Sequence, residues 1–191
     1  MQQKCHFLLL YSIMKPEIGQ IIDACLKKDE RAYKRLYDLY AAKMYGVCLR
    51  YTSTSGAAED VMHEGFIRVF ENLHKLRDVS SLEAWMRKTM IYTALNFNRQ
   101  ELPLATTGRI DDCSDDDYTS GDEIISRLDA EIVLNAIQKL PDSYRMAINL
   151  CEIEGYTFEE AAKMMNVKEA SVRSALVRGK KALATIFKER Y

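Results

Sequence analysis

Residues 157–187 read TFEEAAKMMNVKEASVRSALVRGKKALATIF, and the fold turns on them. Thr157 with Glu160 in the third helical position makes a capping box, in which each side chain accepts from the other's open backbone donor. Phe158, Ala161, Ala162 and Met165 then lie on one face of a short helix, and adjacent alanines let another helix come close. Asn166 tolerates the left-handed conformation that ends a helix, and Val167 stands where a plug for the corner is needed. A second helix starts near Glu169 or Ser171. Its apolar positions are Val172, Leu176, Leu183 and Ile186 or Phe187, close to helical spacing. Arg173, Ser174, Arg178, Lys180 and Lys181 are left outside. Short helix, tight turn and longer basic helix make a helix-turn-helix. An ordinary helical hairpin with a solvated basic face carries the same pattern, so the pattern needs charge to support it. Residues 163–191 hold eight Lys and Arg against two Glu, a net +6 in a chain whose net charge is −1. Positive charge gathered on one terminal helix pair fits phosphate contact.

A chain of 191 residues can bury a real core in one or two domains. The only prolines, Pro16, Pro103 and Pro141, each fall at an expected boundary. Cys5, Cys25, Cys48, Cys113 and Cys151 are odd in number and widely spaced, and His6, His63 and His74 do not cluster with them. That argues against a disulfide framework and a structural zinc site and fits a reducing cytoplasm. No run is long enough to span a membrane. The apolar run 7–14, FLLLYSIM, is short and has no small-residue cleavage site, so it does not read as a signal peptide. It is either a segment that docks on the core or part of an extension over 1–16, and Met14 would be a natural start.

The remaining chain reads as helices. Ile18, Ile21, Ile22, Cys25 and Leu26 give a short amphipathic helix, and Asp29 can cap the next. That one runs over about 30–52, with Tyr33, Leu36, Tyr37, Tyr40, Met44, Val47, Cys48 and Tyr51 on its apolar stripe. Ser55 can cap a third helix over 57–76, AAEDVMHEGFIRVFENLHKL. Val61, Phe66, Val69, Phe70 and Leu73 point inward, and Glu59, Asp60, His63, Glu64, Arg68 and Glu71 outward. Asp60 and His63 have a metal-compatible spacing, but no matching carboxylate–histidine set stands on another helix, so no metal is expected. Ser81 caps a fourth helix with Leu82, Trp85, Met86, Thr89, Tyr92 and Leu95 as its inner face. Arg87, Lys88, Asn96, Asn98 and Arg99 remain outside, basic and amide groups of the kind single-stranded DNA needs. Trp85 alone reads as core packing. Residues 101–125 hold one Arg against eight acids, a net −7, and read as a linker. Helix restarts over 126–139, with Leu128, Ile132, Val133, Ala136, Ile137 and Leu140. Pro141 opens the next helix, whose inner stripe is Tyr144, Ala147, Ile148 and Cys151, and Gly155 ends it. The fold class is all-α: two small helical domains, 17–100 and 126–191, joined by a flexible acidic linker, the second with a helix-turn-helix.

This order of parts resembles the extracytoplasmic-function sigma factors, the small two-domain sigma subunits of bacterial RNA polymerase. AAEDVMHEGFIRVFENL resembles the region 2 helix that docks on core polymerase. SLEAWMRKTMIYTALNFNRQ resembles the helix that melts and reads the minus-ten element. LPDSYRMAINLCEIEGYTFEEAAKMM resembles the start of region 4, and NVKEASVRSALVRGKKAL its recognition helix. The resemblance puts Asp60, His63, Glu64 and Arg68 against the polymerase. It puts Asp78, Ser80, Ser81, Asn96, Asn98 and Arg99 on the melted minus-ten strand. Lys168, Ser171, Arg173, Ser174, Arg178 and Lys181 fall on the minus-thirty-five duplex. Ala175 stands where many relatives carry Arg, and His63 where Gln is common. The partners implied are RNA polymerase core, promoter DNA and an anti-sigma factor, in the cytoplasm, with no cofactor, small-molecule substrate or membrane insertion.

Three functions compete. A transcription initiation factor needs polymerase. A stand-alone helix-turn-helix regulator needs a ligand pocket or a symmetric dimer surface, and the sequence advertises neither. A protein-binding adaptor has no use for the +6 segment. No nucleophile–base pair, glycine loop or metal constellation suggests an enzyme. The acidic linker beside a basic recognition segment also suggests self-masking, in which Asp111, Asp112, Asp115, Asp116 and Asp117 hold free protein off DNA until polymerase binds.

Overall fold

The computed structural model describes residues 17–101 and 130–190, and the acidic linker and the 1–16 extension lie outside them. The described residues are helical, with no strand among them. They form α1 (17–26), α2 (Glu30–Tyr51), α3 (Ser55–Asn72), α4 (Leu82–Glu101), α5 (Ala130–Gln138), α6 (Asp142–Ile148), α7 (Phe158–Met165) and α8 (Glu169–Arg190). The described residues fall into two compact units: one holds 17–48 with Gly56–Thr93, the other Leu49–Ser55 with 94–101 and 130–190.

In the first unit Asp29 caps α2, its carboxylate accepting from Arg31 N at 2.9 Å. Ile21, Ile22, Cys25, Leu36, Tyr40, Met44, Val47 and Cys48 are buried as the spacing predicts, but Leu26, assigned to the apolar face of α1, is exposed. Helix α2 meets α3 through tilted ring pairs, Tyr33 on Phe70 and Tyr37 on Phe66, with centroids 4.8 and 4.6 Å apart. Gly65 lets α3 come down on α4, since a Cβ there would stand 2.2 Å from Met90 Sδ. This approach decides which side of α4 is inside. Leu82, Met86, Met90, Ile91, Thr93, Ala94 and Leu95 are buried, whereas Trp85 and Thr89 are half-buried and Tyr92 is exposed. The inner face expected from Trp85, Thr89 and Tyr92 is therefore corrected: apolar side chains occur on more than one side of α4, and its partner chooses which side goes in. Asn98, expected outside, is buried within the second unit, and its amide donates there to Tyr51 O at 2.9 Å, closing the carbonyl end of α2.

In the second unit α5, α6 and α7 all pack on α8. Pro141 sits one residue outside α6, at its N-cap. Arg145 is buried and donates to Leu140 O at 3.0 Å and to Asp142, tying the end of α5 to the start of α6. Helix α6 runs into a π-turn over Asn149–Ile153, and Gly155, at φ 75°, makes the left-handed reversal that only glycine adopts at no cost. The capping box of α7 is present on both sides: Thr157 N donates to Glu160 Oε2 at 2.9 Å and Glu160 N to Thr157 Oγ1 at 3.2 Å. Asn166 is left-handed, at φ 55° and ψ 47°. Two details differ. Met164, rather than Met165, joins Ala161 and Ala162 in the core, and Val167 is exposed instead of plugging the corner. A Cβ on Gly179 would lie 2.8 Å from Ile148 Cδ1 and 3.2 Å from Tyr144 Cβ, so α8 and α6 pack at glycine distance.

Candidate functional site

Three surfaces carry the residues singled out by sequence. On α3, Asp60, His63 and Glu64 are exposed and Arg68 is half-buried. Arg68 Nε donates to Glu64 Oε1 at 2.9 Å, one turn back, and His63 Nε2 lies 3.5 Å from the Tyr37 hydroxyl. These side chains share the face opposite the core. Ile67 stands among them, 53% exposed, the most exposed large apolar side chain among the described residues. Sequence reading passed over it. Its signal was its place one turn beyond His63, off the Val61–Phe66–Val69 stripe.

The second surface begins at the turn before α4. Asp78 caps the 3₁₀ turn Val79–Ser81, accepting from Ser80 N at 2.9 Å and from the Ser80 hydroxyl, while Ser81 Oγ donates to Asp78 O at 2.7 Å. Ser81 leads straight into α4, whereas Asn96 and Arg99 lie at its far end, about 22 and 27 Å on at 1.5 Å per residue. The two groups are not one spot. Trp85, Lys88, Thr89, Tyr92, Asn96 and Arg99 repeat at helical spacing and form one stripe between them, with Tyr92 exposed, Trp85 half-buried and Lys88 Nζ 6.0 Å from the Tyr92 centroid. Arg99 is exposed, with Nε donating to Leu95 O at 3.3 Å, and Asn96 is half-buried. Asn98 faces the opposite way.

The third surface is α8. Lys168 O accepts from Ser171 N at 3.0 Å and Val172 N at 3.3 Å, so Lys168 stands at the helix start, exposed. Arg173 and Lys181 are exposed, and Ser171, Ser174 and Arg178 half-buried. Val172, Ala175 and Leu176 turn inward. Ala175 is thus a packing residue here. Arg173 is ordered by two neighbours: Nε and Nη2 donate to Glu169 Oε1 at 3.2 and 2.6 Å, and its guanidinium carbon lies 4.4 Å from the Phe158 centroid.

Among the described residues no group of three His, Cys, Asp or Glu is placed to hold a metal ion, and no helix is long and apolar enough to cross a membrane. Burial, then the Asp29 carboxylate, pushes the Cys25 thiol up to about 11, which keeps it protonated and unreactive at neutral pH.

Residues 36–101 match the family Sigma-70 region 2, and residues 130–183 match Sigma-70, region 4. The chain belongs to the extracytoplasmic-function sigma factors, with a region 2 and a region 4 domain. It is 27% identical over 173 residues to the ECF RNA polymerase sigma-E factor of Escherichia coli (strain K12), covering 85% of this chain and 90% of that one. To the RNA polymerase sigma-H factor of Pseudomonas aeruginosa it is 28% identical over 180 residues, covering 86% and 90%. Among solved structures it is similar to the sigma factor RpoE in complex with the anti-sigma factor NepR from Bartonella quintana, at TM-score 0.49 and 18% identity over 83% of this chain and 98% of that one. It is also similar to CnrH in complex with the cytosolic domain of CnrY, at TM-score 0.46 and 14% identity over 90% and 97%. The protein is a non-enzymatic subunit that binds RNA polymerase core and directs it to promoters.

Proposed function

We propose how the three surfaces divide that work in the cytoplasm. Helix α3 docks on core polymerase through Asp60, His63, Glu64 and Arg68, with Ile67 as the apolar centre of the patch. The Asp78–Ser81 turn and the α4 stripe of Trp85, Tyr92, Asn96 and Arg99 hold the melted minus-ten strand. Helix α8 reads the minus-thirty-five duplex through Lys168, Ser171, Arg173, Ser174, Arg178 and Lys181, since Arg and Lys suit guanine and phosphate and Ser serves either. Asn98 is left out, because its amide serves the Tyr51 carbonyl. An anti-sigma factor is the regulatory partner the family resemblance adds.

One observation carries the reading: α4 turns aromatic, amide and basic side chains to one side while its other side is core. Unpaired bases stack on such rings for about 1–3 kcal/mol each, and the cations neutralise the backbone. The test is reconstituted transcription with core polymerase on duplex and pre-melted promoters. Tyr92→Ala with Asn96→Ala should block initiation on duplex and recover on the pre-melted template. Arg178→Ala should weaken binding to the upstream element by about 1–3 kcal/mol and gain nothing from pre-melting. If pre-melting rescues neither or both, the division is wrong. A stand-alone regulator would bind the upstream duplex equally well without polymerase and start no transcript.

A further inference from the structure

Arg173 is held more firmly than a surface arginine needs to be. Its side chain is 59% exposed, yet Glu169 takes two of its donors and the Phe158 ring lies against the guanidinium. A phosphate can be met from many rotamers, whereas a guanine edge needs the guanidinium plane in one orientation. The carboxylate of Glu169 also cancels the charge of Arg173, so the pair adds little to general attraction for the DNA backbone. Phe158 is the first residue of α7, anchored by the Thr157–Glu160 capping box, and the left-handed Asn166 fixes α7 against α8. The ring is therefore set by the corner itself.

We propose that Phe158 and Glu169 are positioning residues: they fix the Arg173 guanidinium before DNA arrives and make it a reader of one base pair. This rests on the reading of α8 as the duplex-binding helix. Pre-ordering removes the cost of freezing the side chain at binding, and it penalises a wrong base, because the locked arginine cannot swing to a phosphate.

The experiment uses the full chain with core polymerase and a promoter duplex randomised over the upstream element. Arg173→Ala should relax preference at one base pair. Phe158→Leu, which keeps an apolar side chain but removes the ring, should relax the same base pair by about two- to fivefold, the range of an exposed cation–π contact, and leave the others unchanged. Phe158→Tyr should restore the preference. On duplexes carrying the wrong base, the slope of log affinity against log salt should steepen in Phe158→Leu, by up to about one, as the freed Arg173 turns to phosphate, and stay unaltered on the preferred sequence. Glu169→Gln should relax the same base pair and supplies the test if Phe158→Leu melts early. If Arg173→Ala relaxes a base pair that neither Phe158→Leu nor Glu169→Gln affects, positioning is overturned while base reading stands. If Arg173→Ala relaxes none, the base-reading role of Arg173 falls and positioning with it.

Discussion

The α7–α8 corner and the α4 face differ in where their instructions lie. At the corner, Thr157, Glu160 and Asn166 span ten residues and each acts on backbone groups beside it. On α4, Trp85 and Tyr92 are left outside because Leu82, Met86 and Met90 go inward, and Met90 goes inward because Gly65, far away in sequence, makes room. Local polar chemistry sets where a helix starts and stops. The direction a helix faces, when apolar side chains stand on more than one of its sides, is set by its neighbours.

The largest expected effect tests the α3 face against the α4 face. Asp60→Lys with Glu64→Lys should abolish binding to core polymerase and leave far-ultraviolet circular dichroism unchanged, because both side chains are exposed. Unaltered binding would move the docking surface elsewhere. Next come the two helix contacts made by glycine. Gly179→Ala drives a methyl against Ile148 and the Tyr144 Cβ and should cost about 1–3 kcal/mol in urea unfolding. Both glycines are helical and regain the same propensity of about 1 kcal/mol, but Gly65→Ala meets only the far end of the flexible Met90 side chain, so its net cost should be smaller. Equal costs would mean that α3 and α4 are as rigidly matched as α6 and α8. Thr157→Ala should cost about 1 kcal/mol through lost capping, read from the same unfolding curves. The smallest effect concerns Cys25. With its pKa raised from 9.0 to about 11, the thiol should stay unmodified by iodoacetamide at pH 8 in folded protein and react once urea is added. Fast labelling of the folded chain would show that the α1–α2 joint opens.

These contrasts say what a sequence reader can and cannot see. The capping box, the Asn166 corner and the Asp29 cap are legible because donor and acceptor sit within a turn of each other. The charged α3 face is legible because Val61, Phe66 and Val69 mark the other side. Asn98 is not, because its partner is a carbonyl 47 residues away, and an amide among polar neighbours looks like surface. Arg145 is likewise unreadable: an arginine between Tyr144 and Met146 counts as exposed until α5 ends beside it. At the site, residue types suggested a DNA-contacting surface, but the spread of the residues assigned to the minus-ten strand over the length of α4, and the half-exposed aromatics between, emerged only once the core face was known.

The double closure of α7 has a consequence for its length. Thr157 and Glu160 fix its first residue and Asn166 its last, and it holds eight residues between them. Each added residue turns a helix by about 100°. One insertion between Glu160 and Met165 would therefore swing Phe158 to another side of α7 while Asn166 still held the start of α8. The Arg173 guanidinium would lose its ring without a single side chain having been replaced. Side chains along the outer face of α7 are free to vary, but its residue count is not.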